Sequence, residues 1–544
     1  MKTTREEIAQ VYVSTFNRAP DAEGLEYWYD TGLAIEQISA SFFDQQETKE
    51  MYPTTMNNQT FVDAIYHNIF NHSADPDGLS YWVDRLDEED ISRANMILAV
   101  GNGAKGTDKI ILENKTEVGL YHAGRMLNDL EKATDIMSGV DETSESVEKA
   151  KDIINSISSF DLTDKKDTVV AGFLDDIMQG VALSVNQTYT AGDSVDGGDG
   201  DDTLTLTLGV GGSDPVASIE NVETVALTSL NPMENHSMNI SNWVGVDNIE
   251  IINTSASTLL SNANSEFSAI KVKGLSQTAI QSIQVTDDIF TGGYDTLYIT
   301  LSEASPSAVA RVGVANSNGE GVIEKYKISS IENSGTILGD NVSGVSLSTV
   351  DNINSIYIYG DSDLSLLTTG GTDITRVDAS NLTAGIEYTS TGSSGTYIIG
   401  GTKRDEITSL YANDKIKGGK GADLITLLAV TETSQTIEYK DLGDSGTTTA
   451  SADTIVGFET TIDKLSFDKL GAGTPSNYLN SSSIASTVEI AVAIANSGEL
   501  DGKSYVFYSN IDESFLVIDG DDDGRADQAI ILSGVTLFEA GDII

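Results

Sequence analysis

Cysteine is absent from the 544 residues, which excludes disulfide staples and any thiol nucleophile. Histidine is scarce: His67, His72, His122 and His236 are the only four, and none stands in a context that could serve Gly443-Asp-Ser-Gly446 as a base. A serine without an oriented base is inert, so that tetrapeptide reads as a turn. His67 and His72 have no third ligand near them and read as surface or helix-end residues. There is no His-Glu-x-x-His, no glycine loop followed by Lys-Ser/Thr and no basic-aromatic patch. Carboxylate pairs abound, yet nothing selects one for acid–base work, and the chain is not expected to be an enzyme. Basic residues are few as well, 31 against 84 acidic, a net charge of −53. Such an excess repels nucleic acid and anionic membrane, and it repels itself unless cations neutralise it. No run approaches the roughly eighteen apolar residues of a membrane span, so no transmembrane segment is expected. The first ten residues lack the apolar stretch of a Sec leader.

What the chain does have is glycine and aspartate in register. Gly400 to Thr426 reads as three nine-residue units, with Asp405, Asp414 and Asp423 nine apart and Ile407, Ile416 and Ile425 two places behind them. That phase matches the nonapeptide G-G-x-G-x-D-x-U-x of the calcium-binding parallel β-roll. Six residues make a turn and three make a short strand, so turns eighteen residues apart lie on the same side. Ca²⁺ takes about six to eight oxygens, which carbonyls and paired carboxylates supply. Gly400 to Asp405 is therefore expected to share an ion with Gly418 to Asp423, Gly421 belonging to the best-matched unit. Lys403 stands where the first unit needs glycine, and the middle unit lacks glycines altogether.

Two further stretches carry the same chemistry. Gly197-Gly-Asp-Gly-Asp-Asp-Thr-Leu-Thr205 matches the nonapeptide throughout, offering Gly198, Asp199, Gly200 and Asp202, but it is solitary, and a plain acidic turn competes with a calcium site. Asp519, Asp521, Asp523 and Asp527 fall at positions 1, 3, 5 and 9 of a calcium loop with Gly524 at position 6. Position 12 is Ile530 and not Glu, so this is no EF-hand, and an acidic hairpin turn competes with a calcium site.

The chain divides by pattern into a multidomain α + β protein: an all-α N-terminal module followed by an all-β array, read as a solenoid or roll. Residues 1–105 are an internal duplication, Asp21, Gly24, Leu25, Tyr27 and Trp28 recurring 54 positions later as Asp75, Gly78, Leu79, Tyr81 and Trp82. Thr4 with Glu7, and Thr60 with Asp63, look like capping-box starts. The aromatic stripe is expected in the core, helical spacing being what cores show, with a carbohydrate-stacking platform as the alternative. Residues 106–185 read as a helical extension with amphipathic segments from Ile110, from Val147 and from Val169 to Val181. From 186 to 399 the period changes to two, as in Thr203-Leu-Thr-Leu-Thr-Leu208 and Thr296-Leu-Tyr-Ile-Thr-Leu301. Residues 400–470 form the β-roll and its cap, and 471–544 a C-terminal β segment.

These phrases resemble a known class. The doubled Asp-x-x-Gly-Leu-x-Tyr-Trp unit is similar to the small helical domain at the N-terminus of many Gram-negative surface-layer proteins. Ile219-Glu-Asn221, Ile331-Glu-Asn333 and Val377-Asp-Ala-Ser380 resemble the array half of calcium-dependent S-layer proteins. Ala452-Asp-Thr-Ile-Val-Gly-Phe458 with Asp463-Lys-Leu-Ser-Phe467, and the ending Asp542-Ile-Ile544, resemble the close of type I-secreted proteins. The resemblance implies an extracellular lattice subunit that binds Ca²⁺ and other copies of itself, is held to lipopolysaccharide through residues 1–185, and meets a type I secretion apparatus through its C-terminus. A secreted calcium-dependent adhesin or matrix protein is the alternative.

Overall fold

A computed structural model describes residues 2–544 apart from 126, 128–129, 158–159, 213, 230–234, 253–257, 264–266, 276–279, 288–295, 306–307, 316–324, 334–343, 349–352, 370–373, 392–394, 411–412 and 429–432. Part of the middle nonapeptide, Tyr411 and Ala412, thus lies outside the described residues. The chain forms two compact units, one of Met1–Leu162 with Thr168–Gln179 and Val195–Thr203, the other of Thr163–Asp167 with Gly180–Ser194 and Leu204–Ile544.

In the first unit the duplication is three helices repeated: Arg5–Phe16, Ala22–Thr31 and Ile35–Phe42, then Asn58–Phe70, Pro76–Asp87 and Arg93–Gly103. Thr4 and Glu7 close the expected capping box, side chain to backbone in both directions. In the second copy the cap is Asn57, whose side chain takes the Thr60 N–H at 2.8 Å, so the helix starts earlier than the Thr60 phase indicated. Asp21 and Asp75 cap the second helix of each copy by accepting the Gly24 and Gly78 N–H groups. Gly24 is required there because a Cβ would sit 2.5 Å from both the Asp21 carboxylate and the Tyr12 hydroxyl. Tyr12, Phe16, Trp28 and Phe42 pack together at centroid distances of 4.8 to 5.8 Å. Tyr27 and Tyr81 depart from the expected buried stripe: they are 62% and 51% exposed, each edge-on to the adjacent tryptophan.

The helical extension is shorter than the sequence pattern indicates. Helices run Thr107–Gly124, Leu130–Ser138 and Ser144–Ile157, but Val169 to Val181 is not helical: strands occupy Thr168–Val170 and Ile177–Ala182. In the latter Met178, Gly180 and Ala182 are buried while Ile177 and Gln179 are exposed, a period of two that Gly172 and Gly180 favour over a helix.

The second unit is a long run of strands, most of which among the described residues belong to large sheets of fourteen and thirteen, while Ser218–Glu220 and Trp243–Val244 belong to a small sheet of four. Through most of the run consecutive strands alternate between the sheets, and each pairs in parallel with the strand two before and two after it. Spacing varies: Ala269–Lys273 follows its partner by 21 residues and Lys325–Ile331 by 29, while Glu406–Ser409 and Leu424–Leu427 are 18 apart. In register, Ile249, Ile270, Ile299, Ile328 and Ile358 lie side by side, as do Ile407, Ile425, Ile455 and Leu532 of the other sheet. All of them are buried, each contributing about 1.5–3 kcal/mol.

The pattern changes after Phe467. Gln528–Ser533 joins Asp453–Val456 in parallel, then Glu513–Ile518 and Tyr505–Tyr508 follow antiparallel, and helix Val488–Ile494 packs on them over Val506, Tyr508, Phe515, Val517 and Ile531. At the last strand of the other sheet, Leu465 meets Ile543 in a parallel bridge, and Asp542 is buried with the Thr461 N–H at 2.7 Å.

Candidate metal centre

The glycine-rich turns precede strands that are neighbours in one sheet, so their ends must lie next to one another. Glu406–Ser409 pairs with Leu424–Leu427, that with Asp453–Val456, and that with Gln528–Ser533. At the head of the first three stand Asp405, Asp423 and Asp453, each no more than 1% exposed. They form a ladder of backbone acceptors. Asp405 takes the Ile386 N–H at 2.6 Å, Asp423 takes the Asp405 N–H at 2.9 Å, and Asp453 takes the Asp423 N–H at 3.0 Å. The second oxygen of Asp405 closes its own turn through the Gly401 N–H at 2.9 Å, whereas Asp423 Oδ2 and Asp453 Oδ2 have no hydrogen-bond partner.

Charge accumulates along this row. Burial raises the Asp405 carboxyl well above its ordinary range, with Asp423 adding repulsion. Asp423 itself is pushed up to about 7 by burial, opposed by the Asp405 N–H and by Arg404. Asp453 moves the same way through burial and Asp423. Buried carboxylates of like charge with free oxygens require either protons or a cation. The glycines frame the row. A Cβ at Gly400 would collide with the Gly418 carbonyl and Asp405 Oδ2, and one at Gly418 with Asp423 Oδ2. At Gly421, φ +152°, a Cβ would stand 2.5 Å from both Asp423 Oδ1 and the Lys403 carbonyl, so only glycine lets the chain pass this close to them. Carboxylate and carbonyl oxygens are the donor set of a hard cation such as Ca²⁺.

Asp414 is not in this row. It precedes Lys415–Lys417 of the opposite sheet and accepts from the Thr396 N–H at 2.6 Å and the Ser409 hydroxyl at 2.7 Å. Both oxygens are thus engaged within a separate ladder. Asp453 was missed by spacing, lying 30 residues past Asp423 where the repeat calls for 18.

The turn at Gly197 has a neighbour that the sequence reading lacks. A Cβ at Gly198 would meet the Gly172 carbonyl and one at Gly200 the Leu174 carbonyl at 2.7 Å, so the turn lies against residues 171–175. Asp202 is buried and accepts the Asp176 N–H at 2.7 Å. Asp175-Asp176-Ile-Met178, 26 residues before Asp201-Asp202-Thr-Leu204, was the available signal. Here Arg125 forms an ion pair with buried Asp176. Asp199 is apart from these, its side chain 77% exposed and 3.7 Å from Arg5.

The Asp519 loop joins the antiparallel strands Glu513–Ile518 and Gln528–Ser533, so it is a hairpin connection as well as an acidic cluster. Carboxylate oxygens of Asp519, Asp521 and Asp527 come within 4.8 Å of one another. Asp523 stands outside this group and accepts the Arg525 N–H at 2.9 Å. Asp519 is buried and holds the Asp522 and Gly524 N–H groups, while Asp527 takes that of Gly520.

Among the described residues no helix is long and apolar enough to cross a membrane. Searched against curated proteins, the chain has no match. Residues 39–104, which run from the end of the first helical copy through all of the second, match the family model described as Domain of unknown function (DUF4214).

Proposed function

We propose that this protein is the structural subunit of a calcium-dependent bacterial surface layer, secreted to the cell exterior, whose β-rich part is a calcium-loaded solenoid that tiles with copies of itself. The observation that carries the reading is the row of buried carboxylates at Asp405, Asp423 and Asp453, two of them with an oxygen that no donor meets. The net charge of −53 supports it, because an acidic surface can associate with its own copies only when cations screen it. Extracellular modules bind Ca²⁺ at about 10⁻⁴–10⁻³ M, so such sites would be empty during export and filled outside. Head-to-tail contacts between copies then extend without closing. The helical module is the lipopolysaccharide anchor in this proposal, and the C-terminal segment is the part that a type I secretion apparatus engages. Supporting the anchor role, Tyr27 and Tyr81 stand exposed at equivalent places of the two copies, where aromatic faces can stack on sugars.

Light scattering and electron microscopy of purified full-length protein during a calcium titration test the proposal. Sheets at millimolar Ca²⁺ that Mg²⁺ does not produce are expected, since Mg²⁺ keeps its waters in a small octahedron. A protein that binds Ca²⁺ but stays monomeric favours the adhesin. One that binds no Ca²⁺ removes both readings.

A further inference from the structure

An open sheet ends in edge strands whose outward N–H and C=O groups can pair with another chain, and folded proteins blunt them with charge, proline, bulges or a cover. The edges of the two large sheets are finished differently. In the sheet of thirteen, the last strand, Lys464–Phe467, is covered: Leu465 bridges Ile543, and its carbonyl takes the Ile544 N–H at 2.9 Å. In the sheet of fourteen, one limit is His236–Asn239, where the Asp214 carboxylate takes the Asn239 N–H at 2.9 Å and sets a charge on the edge. The other limit is Tyr478–Ser481, which pairs in parallel with Tyr505–Tyr508 and has no strand on its other side among the described residues.

This last edge is bare. It is short, but it carries no charge, no proline and no break in register. It lies within Leu470 to Val488, the longest stretch without a charged residue in a chain of net charge −53. The Asn477 carbonyl takes the Tyr505 N–H at 3.0 Å, and alternate residues of a parallel ladder bond to a given neighbour, so Asn480 turns its N–H and C=O outward. Just past the strand are the two most exposed large apolar side chains among the described residues, Ile484 at 81% and Ile511 at 83%. They stand on adjoining segments, joined by the hydrogen bond from Asn510 Nδ2 to the Ala485 carbonyl at 3.3 Å.

The charges flanking the edge differ at its two ends. At the start, Lys503 Nζ donates to the Ser476 carbonyl at 2.7 Å. At the finish, Glu499 holds the Ser481 and Ser483 hydroxyls at 3.0 Å, and Asp512 and Glu513 are exposed beside Ile511. An antiparallel strand of the same sequence would lay the basic end of each copy against the acidic end of the other, whereas a parallel one would lay like on like.

From this geometry we infer that Tyr478–Ser481 is a docking edge for the same strand of a second copy of the chain, paired antiparallel about a two-fold axis. Ile484 and Ile511 of each copy then lie beside the uncharged Thr474–Asn477 turn of the other. So acidic a chain meets its own copy with least repulsion at its longest uncharged stretch. The inference deepens the tiling proposed above and rests on it for the choice of partner. The contact is isologous and closes on itself, so a sheet of molecules needs head-to-tail contacts in addition.

The test uses the full chain in Ca²⁺, with sedimentation velocity below the concentration that gives sheets and electron microscopy above it. Asn480→Pro removes an N–H that the chain's own ladder does not use, and Ile484→Asp alters a side chain already in water. Expected are a wild-type dimer and a dimer Kd raised at least about tenfold in each variant. Because the chain has no cysteine, Asn480→Cys gives each copy a single thiol. Mild oxidation should link two copies through it, since paired strands bring Cα atoms within about 7 Å, and faster than through Ser73→Cys at an exposed position of the helical unit. If Asn480→Pro does not fold, Ile484→Asp and the cross-link decide. A monomeric wild type, an unchanged Kd in the variants, or cross-linking no faster at Asn480→Cys than at Ser73→Cys overturns the edge. Sheets that form in that case leave the tiling standing, whereas a dimer linked through Asn480→Cys that never extends in millimolar Ca²⁺ keeps the edge and removes the tiling.

Discussion

Without a cation, the array should become less stable as the solution approaches neutrality, which is the reverse of ordinary acid denaturation. The perturbation is a rise in pH from about 5 to 7.5 in chelator, and the group that reports it is Asp423. Burial holds its folded-state pKa at about 7, against an ordinary value of 3.8. Folded chains thus keep a proton that unfolded chains release. Stability from this source is complete below about pH 4 and is lost as pH climbs through about 7. At about 1.4 kcal/mol per pH unit, the two units between pH 5 and the folded pKa remove roughly 3 kcal/mol from Asp423 alone. Asp405 and Asp453 shift in the same direction and add to it. Ca²⁺ at about 100 times its Kd returns about 2.7 kcal/mol per site, a comparable sum. Calorimetry of the full chain in EDTA, following the array transition, should therefore give a midpoint several degrees lower at pH 7.5 than at pH 5. Ca²⁺ should remove the difference. Asp423→Asn, which retains the acceptor for the Asp405 N–H, should in chelator at pH 7.5 unfold above the wild type and respond less to Ca²⁺. An array midpoint equal at the two pH values, or an Asp423→Asn chain less stable than wild type in EDTA at pH 7.5, refutes the reasoning.

Three further expectations come from other parts of the molecule. Gly421→Ala forces a side chain into φ +152° against Asp423 and Lys403, and should cost about 1–3 kcal/mol of array stability in a urea titration, with weaker Ca²⁺ binding. Asp521→Asn should lower the Ca²⁺ affinity of the hairpin loop by calorimetric titration while Asp523→Asn leaves it unchanged, since only the former belongs to the group within 4.8 Å. Lys115 is fully buried on two neutral acceptors, Asn17 Oδ1 and the Asn68 carbonyl, and burial lowers its pKa to about 8. The folded state holds that proton less tightly than the unfolded one, so the helical unit should gain roughly 3 kcal/mol as pH rises from about 8 to 10.5, a dependence that Lys115→Met abolishes in circular-dichroism melts.

Period and phase were legible where one residue type does one job. The eighteen-residue recurrence of Asp405 as Asp423 and of Ile407 as Ile425 corresponds to strands paired 18 apart with both isoleucines in register. The recurrence of Asp21 and Gly24 as Asp75 and Gly78 was equally plain, but spacing did not assign the aspartates the capping role that their hydrogen bonds to the glycine N–H groups show. What spacing alone could not reveal is where a longer connection rejoins the register. Asp453 completes the row after an irregular interval, and Asp176 pairs with Asp202 across an interval of 26 residues without matching glycines. Val169 to Val181 was misread because apolar residues there satisfy both helical and alternating spacing, and only pairing with other strands decides between them. Tyr27 and Tyr81 share a motif with partly buried tryptophan neighbours, yet on a helix adjacent residues point about 100° apart, so one of each pair turns outward.

The in-register isoleucine rows have a mechanical consequence. Each strand of the parallel run pairs with the strand two before and the strand two after it, so cohesion along each sheet behaves as a chain of nearest-neighbour links. A pull along the row would part the weakest link first and leave the rest standing. Under the proposed calcium role, the junctions with a buried carboxylate ladder would act as fuses whose rating is set by the surrounding ion concentration, ready to let go when a chelator strips them.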